Sequence, residues 1–442
     1  MSRRAAILAS ALTLSACATY APSPPHPEAY PQRFDAARLE TRPVWSGADL
    51  LAAALARNPR VAEARARYRA ALAAVAVARQ ASPTTLTLTG EYANERPHWG
   101  YGAVAEIPLD LGARRRGRIT TADLSALQTF YDLGEAVWTV EAALERARAD
   151  LLAADAEITL ADSVAMLRRE RWMRLERRVV AGEDARSVSL IALTERAAAD
   201  RRAAEARVRR EQGVQALAAA LGLPPAAVRD IVLAPAAAPE LAGLADWRRD
   251  AAISRRDVLR AVVDYDLAEN ALRTEVARQY PEVRIGPGYN YDHGVTKLPI
   301  SVGLTLPPYD LNRSGIAEAE ARRAAAGRAL EAVQAGALAD VDKAAVALAA
   351  ARANVLRLRG EDIVVADRAA ASVSRAVRAG EADRTDDLAS RAVAAEARLS
   401  LLEADHAQAL AVADLAFALR RPFEAAEAAV LAEALRQDKG TP

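Results

Sequence analysis

The feature that most constrains this chain is that it is written twice. The stretch AGEDARSVSL, Ala181 to Leu190, returns as AGEADRTDDL, Ala379 to Leu388. Both fit A-G-E-x-x-R-[S/T]-x-x-L, each matched position 198 residues from its copy (379 against 181). Ala78-Arg79-Gln80 ahead of Pro83 returns as Ala277-Arg278-Gln279 ahead of Pro281, and Pro108-Leu109-Asp110-Leu111 as Pro308-Tyr309-Asp310-Leu311. One supersecondary plan must therefore serve both halves.

That plan is read from hydrophobic periodicity. From Trp45 to Gln80 the apolar positions recur at helical spacing (Leu50, Leu51, Ala54, Leu55, then Val61, Ala64, Tyr68, Leu72), with Ser46 as N-cap and a break at Asn58-Pro59. Ser82-Pro83 ends this helix. Thr84 to Asn94 switches to period two, Leu86, Leu88 and Tyr92 against Thr85, Thr87, Thr89 and Glu91, and Trp99 to Leu109 alternates again. The first repeat, 46–240, is thus a helix, a hairpin over 84–109, a long helix over 113–181, a turn over 182–187, a helix over 188–221 and a Pro/Ala-rich connector over 222–240. The long helix spans about 100 Å at 1.5 Å per residue. The second repeat, 241–421, follows with a helix, a hairpin over 282–307, a long helix over 315–379, a turn over 380–385 and a helix over 386–419. Residues 422–442 form a tail.

Composition narrows the class. Charged residues make up 26% of the 442, yet the formal net charge is +1, which gives no basic footprint for nucleic acid. Aromatics are 5%, so the core is expected to consist of closely spaced, alanine-rich helices. Residues 1–16 read as a leader: Arg3 and Arg4, an apolar stretch from Ala5 to Leu14, then Leu14-Ser15-Ala16-Cys17. This matches a bacterial lipoprotein signal and makes Cys17, the one cysteine, the acylated lipid anchor. A Pro-rich, extended segment over 17–45 follows. No later segment is apolar enough for a transmembrane helix.

The strands are about the length that crosses a hydrocarbon core when tilted. Tyr92, Trp99, Tyr101, Tyr289 and Tyr291 fall near their ends, where interfacial aromatics sit. Four strands cannot close a barrel, and open edges are not tolerated in lipid. Either several copies close one barrel, or the strands pack on helices in water. The anchor and the long helices favour the barrel.

The duplicated layout, NPRVAEARARYRAALAAVAVARQ before the strands, the PLDLGARRRG joint after them and the two AGE…L turns together resemble the TolC-type outer membrane efflux proteins. The resemblance runs from about Trp45 to Leu419. It implies a mixed, mainly α fold: four transmembrane β-strands per chain, a homotrimer forming a 12-stranded β-barrel, and a long periplasmic α-helical coiled-coil barrel continuous with it. It further implies outer membrane residence, an inner-membrane pump and a periplasmic adaptor (membrane fusion protein) as partners, no catalysis, and no cofactor beyond the lipid on Cys17. The joint PPYDLNRSGIAEAEA, Pro307 to Ala321, is most similar to the heavy-metal cation efflux (CzcC-like) branch. Alternatives are the outer membrane component of a type I secretion system, or a periplasmic adaptor or coiled-coil scaffold lipoprotein.

No catalytic constellation is present, and His26, His98, His293 and His406 are scattered. His98 and His293 fall in equivalent inter-strand loops, where a solvated role is the default and metal contact the alternative. Asp110 and Asp310 sit where strand passes to helix and read as N-caps. The run Arg114-Arg115-Arg116-Gly117-Arg118 lies in a first helical turn, a poor place for cations, and is expected to face solvent or an acidic neighbour. Function is placed at the repeated turn. Gly182 and Gly380 suit the left-handed position that ends a helix, and Ser187 and Thr385 suit N-caps. The resemblance makes this turn the periplasmic tip of the tunnel. Asp386 and Leu388 match its entrance positions, Asp387 adds a second acid, and Val188 stands where the first copy would carry the Asp. Arg186 and Arg384 are then candidate partners holding the tip closed.

Overall fold

The computed structural model describes residues 20–94, 96–109, 113–235 and 243–439. The leader, Cys17 and Asp110 lie outside them. Two units are distinguished, divided after Glu40. The first holds helix α1 (Ala29–Ala36), with the rings of Tyr30 and Phe34 stacked 6.1 Å apart. A helix here departs from the expected extended segment. Pro31 is tolerated because it falls in the first turn, where its missing N–H has no intrahelical partner to lose.

From Thr41 the second unit runs α2 (Gly47–Arg57), α3 (Pro59–Arg79), β1 (Thr85–Tyr92), β2 (Trp99–Pro108), α4 (Ala113–Val180) and α5 (Arg186–Leu221). A short turn at Pro225–Ala227 precedes α6 (Leu244–Ser254), α7 (Arg256–Ala277), β3 (Glu282–Asp292), β4 (Val295–Lys297) and β5 (Ile300–Thr305). Then come α8 (Arg313–Arg357), a π-helical turn (Leu358–Asp362), α9 (Ile363–Ala379), α10 (Arg384–Leu419) and α11 (Ala425–Lys439).

Local chemistry explains the boundaries. Ser46 Oγ accepts from the Asp49 N–H at 3.2 Å while Asp49 accepts from the Ser46 N–H at 3.2 Å, a reciprocal capping box on α2. Asn58 caps α3 through the Arg60 N–H at 2.9 Å, and its amide donates to the Ala220 carbonyl at 2.8 Å. The α2–α3 break is thereby pinned to the end of α5. α4 is one unbroken helix of 68 residues, about 100 Å long. Its equivalent in the second repeat carries the π-helical turn between α8 and α9 and is not one regular helix. Gly360 lies in that turn, where the helical bond register shifts by one residue.

The helices pack through small side chains. One buried cluster joins Ala251, Val341, Ala344, Leu348, Ala411, Leu415, Ala418 and Leu419; another joins Val164, Ala165 and Ala199 of the first repeat to Ala395 and Leu399 of the second. Where α5 crosses α4, Gly213 lies against the Leu151 backbone, and a Cβ there would stand 3.3 Å from the Leu151 Cα. The basic run does meet an acidic neighbour, Arg114 pairing with Glu282 at 3.3 Å, and finds backbone carbonyls as further acceptors. Arg115 donates to the Arg79 carbonyl at 3.2 Å, and Arg118 to the Ala78 and Gln80 carbonyls at 3.2 Å. Arg114 donates to the Tyr280 carbonyl at 3.0 Å. Cations at the start of α4 thus cover the negative C-terminal end of α3 and the chain just beyond α7.

The sheet is antiparallel throughout, in the order β1-β2-β3, with β4 and β5 both on the far side of β3. The expected fourth strand is therefore two pieces. They are separated at Leu298-Pro299, because Pro299 has no N–H for the ladder; its carbonyl accepts from Gly288 at 2.8 Å. Register aligns the apolar positions: Leu86 faces Ala105, Leu88 faces Ala103, Tyr92 faces Trp99, Tyr101 faces Tyr291, Ile107 faces Ile285 and Val302 faces Ile285 from the other side. Leu86, Leu88, Ile107, Ile300, Val302 and Leu304 on this face are all exposed. The opposite face carries Thr85, Thr87, Thr89 and Glu91 with Gly100, Gly102, Gly286 and Gly288. A Cβ on Gly288 would meet Val104 at 3.0 Å, so glycine there leaves room for Val104 on the polar face.

Gly213→Val tests the helix approach. Overpacking against the Leu151 backbone is expected to destabilise the fold by about 1–3 kcal/mol, read as an earlier thermal loss of helical circular dichroism.

Candidate functional site

The two turns of the motif end their helices in the same way. Gly182 and Gly380 both take φ 78°. The Glu183 N–H reaches back to the Arg178 carbonyl at 2.9 Å, and the Glu381 N–H to the Ala376 carbonyl at 2.9 Å. Each is a Schellman-type closure that a side chain at the glycine would strain.

The following helices start earlier than the Ser/Thr preference suggests, and Ser187 and Thr385 are not the N-caps. α5 begins at Arg186 after Ala185, which contributes no side-chain cap. α10 begins at Arg384 after Asp383, whose carboxylate closes a capping box with Asp386; Asp386 accepts from the Asp383 N–H at 3.4 Å. Asp386 is exposed, while Asp387 and Leu388 are buried. Leu388 is 1% exposed and its counterpart Leu190 51%, so the same motif position is core in one repeat and surface in the other.

Beside this position the two repeats make a reciprocal exchange of acid and hydroxyl. In the first repeat, Glu176 on the incoming helix accepts from Ser189 on the outgoing one. In the second, Ser374 on the incoming helix donates to Asp387 on the outgoing one. Ser374 and Asp387 occupy the positions of Glu176 and Ser189, each 198 residues on. Asp387 also receives Arg391 Nε at 3.1 Å and Arg384. Burial opposes charge on Asp387, but the Ser374 hydrogen bond and the Arg391 and Arg384 guanidiniums outweigh it and hold the carboxyl below its ordinary range.

One side chain joins the two turns. Arg178, four residues before Gly182, pairs with Asp383 of the other repeat, 205 residues away in sequence, and donates to Asp184 of its own turn at 3.1 Å. Asp383 lies below its ordinary range: burial opposes its charge, and the bonds from Thr385 and the backbone, with Arg178, more than offset that. Further along, Arg168 donates to Glu195 at 2.9 Å and to Glu396 at 2.8 Å, tying α4 to both outgoing helices. The expected clasp residues act otherwise. Arg384 pairs within its own helix, and Arg186 is exposed with no hydrogen bond or ion pair among the described residues. Arg178 carried no motif signal, since its partner comes from the other repeat. Asp383 was visible as the first acid of D-x-x-D ahead of an apolar run.

The remaining candidates are placed as follows. Asp310 receives the Asn312 N–H at 3.1 Å and Ser314 Oγ at 3.0 Å, supporting the start of α8, although Asn312 (φ 59°) is the residue that directly precedes the helix. Tyr92 packs edge-on to Trp99 at 5.2 Å, and Tyr101 stacks on Tyr291 at 5.0 Å and lies 6.4 Å from Tyr289, one aromatic group at the loop end of the strands. His98 bonds the Ala93 carbonyl at 3.1 Å and His293 bonds Asp292 at 2.9 Å. Among the described residues no group of three or more His, Cys, Asp or Glu is arranged to hold a metal ion.

A sequence profile of the family described as "Outer membrane efflux protein" matches residues 50–223 and 247–419, one match per repeat. Solved structures share the fold. A membrane protein from Pseudomonas aeruginosa aligns with TM-score 0.73 at 19% identity, covering 87% of this chain and 92% of that one. The outer membrane protein VceC from Vibrio cholerae gives 0.70 at 18%, covering 85% and 96%. The Campylobacter jejuni CmeC outer membrane channel gives 0.71 at 13%, covering 89% of each. No curated protein sequence matches.

Asp387→Ala would strip Ser374, Arg384 and Arg391 of their common acceptor. With the arginines half exposed, a loss of about 1–3 kcal/mol is expected, seen as faster amide exchange around residues 380–388. Because Asp383 and Asp387 sit below their ordinary 3.8, their stabilisation is complete above that pH and is lost as pH falls through the lowered values. The protection factors of the turn amides, with the intrinsic pH dependence of exchange divided out, should therefore be flat from neutral pH to about pH 4 and fall below it.

Proposed function

The chain belongs to the outer membrane efflux protein family, and on that premise we propose that it is the outer membrane exit duct of a tripartite efflux system. Three copies supply four strand positions each to one 12-stranded barrel, and their long helices form the periplasmic tunnel. Cys17 carries the lipid that tethers the chain to the outer membrane. The duct makes and breaks no bonds. Direction and energy come from an inner-membrane pump, joined through a periplasmic adaptor that docks at the turns.

The observation that carries this reading is the sheet. Its apolar face is exposed on β1 and β5 and half-buried to exposed on β2 and β3, its polar face is lined by Thr, Glu and Gly, and β1 and β5 each leave one edge unpaired among the described residues. Apolar outside and polar within is the pattern of a membrane barrel around water. The turns support the rest. Arg178–Asp383 binds the two hairpins of one chain, and Val188, Leu190 and Ile191 are exposed on the first turn's helix, where a neighbouring copy would cover them. Closed and open ducts are then two packings of the same turns, and the clasp biases the closed one. Asp386, exposed and repeated three times, sets a ring of negative charge at the entrance.

Single-channel recording of the purified protein in planar bilayers tests this. Arg178→Ala should raise the open-to-closed ratio roughly 5–30-fold, as loss of 1–2 kcal/mol of clasp would. Asp386→Ala should weaken cation preference. Wild-type behaviour in both variants would remove the turns as the gate.

A further inference from the structure

Away from the turns, α4 carries a buried ionic cluster that the duct reading does not use. Arg148 is 2% exposed; it donates to the Ala234 carbonyl at 3.1 Å and to both Glu145 carboxylate oxygens at 3.2 Å. Glu427 of α11 lies 3.7 Å from it and Glu424 3.9 Å. The cluster needs a bare backbone at Gly47, where a Cβ would collide with Glu427 Oε1 and Arg148 Nη1. One turn earlier on α4 sits Glu141, 3% exposed. Three carboxylates, Glu145, Glu424 and Glu427, thus share one buried guanidinium, while Glu141 stands in the field of Arg420 and Arg146. The nearby Arg146 and Arg420 are engaged elsewhere, with Asp414 at 2.7 Å and with Glu135.

Among the described residues two carboxylate oxygens have no hydrogen-bond partner: Glu141 Oε2 and Glu427 Oε1, the latter 3.7 Å from Arg148 Nη1 and beyond hydrogen-bond reach of it. Both residues line a cavity of about 320 Å³, whose walls are otherwise largely apolar, with Leu152, Leu402, Val412 and Phe423 among them. Carboxylates with buried, unsatisfied oxygens on the wall of a largely apolar, ligand-sized space ask for a cationic donor.

We propose that this cavity binds a small organic cation with an apolar body, an amidine or a primary amine. Its charged end takes the free oxygens of Glu141 and Glu427, and its body lies against Leu152, Val412 and Phe423. A charge-assisted pair of this kind satisfies both oxygens and supplies the missing positive charge. His406, also on the cavity wall, is occupied by Asp150 at 2.7 Å, and neighbouring Asp405 is paired with Arg359 at 3.2 Å, so neither competes for the cation. With the cavity empty, protons do the neutralising. Burial, with the adjacent carboxylates Glu145 and Glu427, raises Glu141 to about 8, and burial with Glu145 and Glu424 raises Glu427 to about 8. Cation binding must therefore expel protons.

Calorimetric titration of the mature full-length protein with benzamidine, in buffers of different ionisation enthalpy, tests the site. Saturable binding with net proton release is expected, tightening about tenfold per pH unit for each proton expelled below pH 8. Neutral benzamide should not compete. Glu141→Gln should weaken benzamidine about tenfold or more and reduce the proton release, while Glu183→Gln at the distant turn changes neither. The Glu141→Gln substitution is not expected to unfold the protein. A raised carboxyl stabilises the fold below its ordinary pKa and loses that stabilisation as pH rises through about 8, so the variant gains relative stability there. Absence of saturable binding, equal binding of benzamide, or unchanged affinity in Glu141→Gln overturns the proposal.

Discussion

Everything else in this protein depends on the backbone of two strands. Among the described residues β1 and β5 each pair on one side only, and the face they share with β2 and β3 is apolar, exposed on β1 and β5 and half-buried to exposed on β2 and β3. In hydrocarbon, an unpaired N–H or carbonyl costs several kcal/mol. A sheet of this composition is stable in a membrane only when another sheet completes it. In the proposed trimer, closure by identical copies would satisfy each β1 edge with a β5 edge and dictate where the helices leave the barrel. The Arg114, Arg115 and Arg118 contacts to chain ends at residues 78–80 and 280 then fix that exit by joining both repeats just below the strands.

At the other end of the helices the duplication has been retained in backbone and altered in charge. Gly182 and Gly380 have the same φ and the same closing hydrogen bond. The acid–hydroxyl pair beneath them is kept with its members exchanged, Glu176 with Ser189 against Ser374 with Asp387. The exchange moves a carboxylate onto the outgoing helix of the second repeat. There it collects Arg384 and Arg391, and Leu388 beside it is buried where Leu190 is exposed. Two turns of like geometry thus differ in what they expose, apolar Leu190 and Ile191 on one and Asp386 on the other.

The mainly helical fold with its antiparallel sheet was legible because both signals are local. Period-two alternation sits on β1 and β2, and long Ala/Leu periodicity sits on α4. The break at Pro299 was legible in principle, since proline cannot donate to a ladder, but continuous alternation from Leu298 to Leu306 hid it. The N-caps were misplaced because Ser187 and Thr385 are favoured types two residues too late, while D-x-x-D at Asp383 and Asp386 was the working signal. Non-local chemistry was out of reach. Arg178 meets Asp383 across 205 residues. Glu141 reads as an ordinary surface acid until the chain near Ala234 and residues 424–427 fold over its helix. The π-helical turn at Leu358–Asp362 has no sequence mark beyond Gly360.

Hydrogen exchange on the two edge strands of the membrane-extracted protein, with β2 as the internal reference, measures the closure directly. Paired edges predict that the amides of residues 85–92 and 300–305 are protected to the level of residues 99–108. Rapid exchange of the outward-facing half of the amides in both edge strands would contradict it, and with it the account of this chain as one part of a closed barrel.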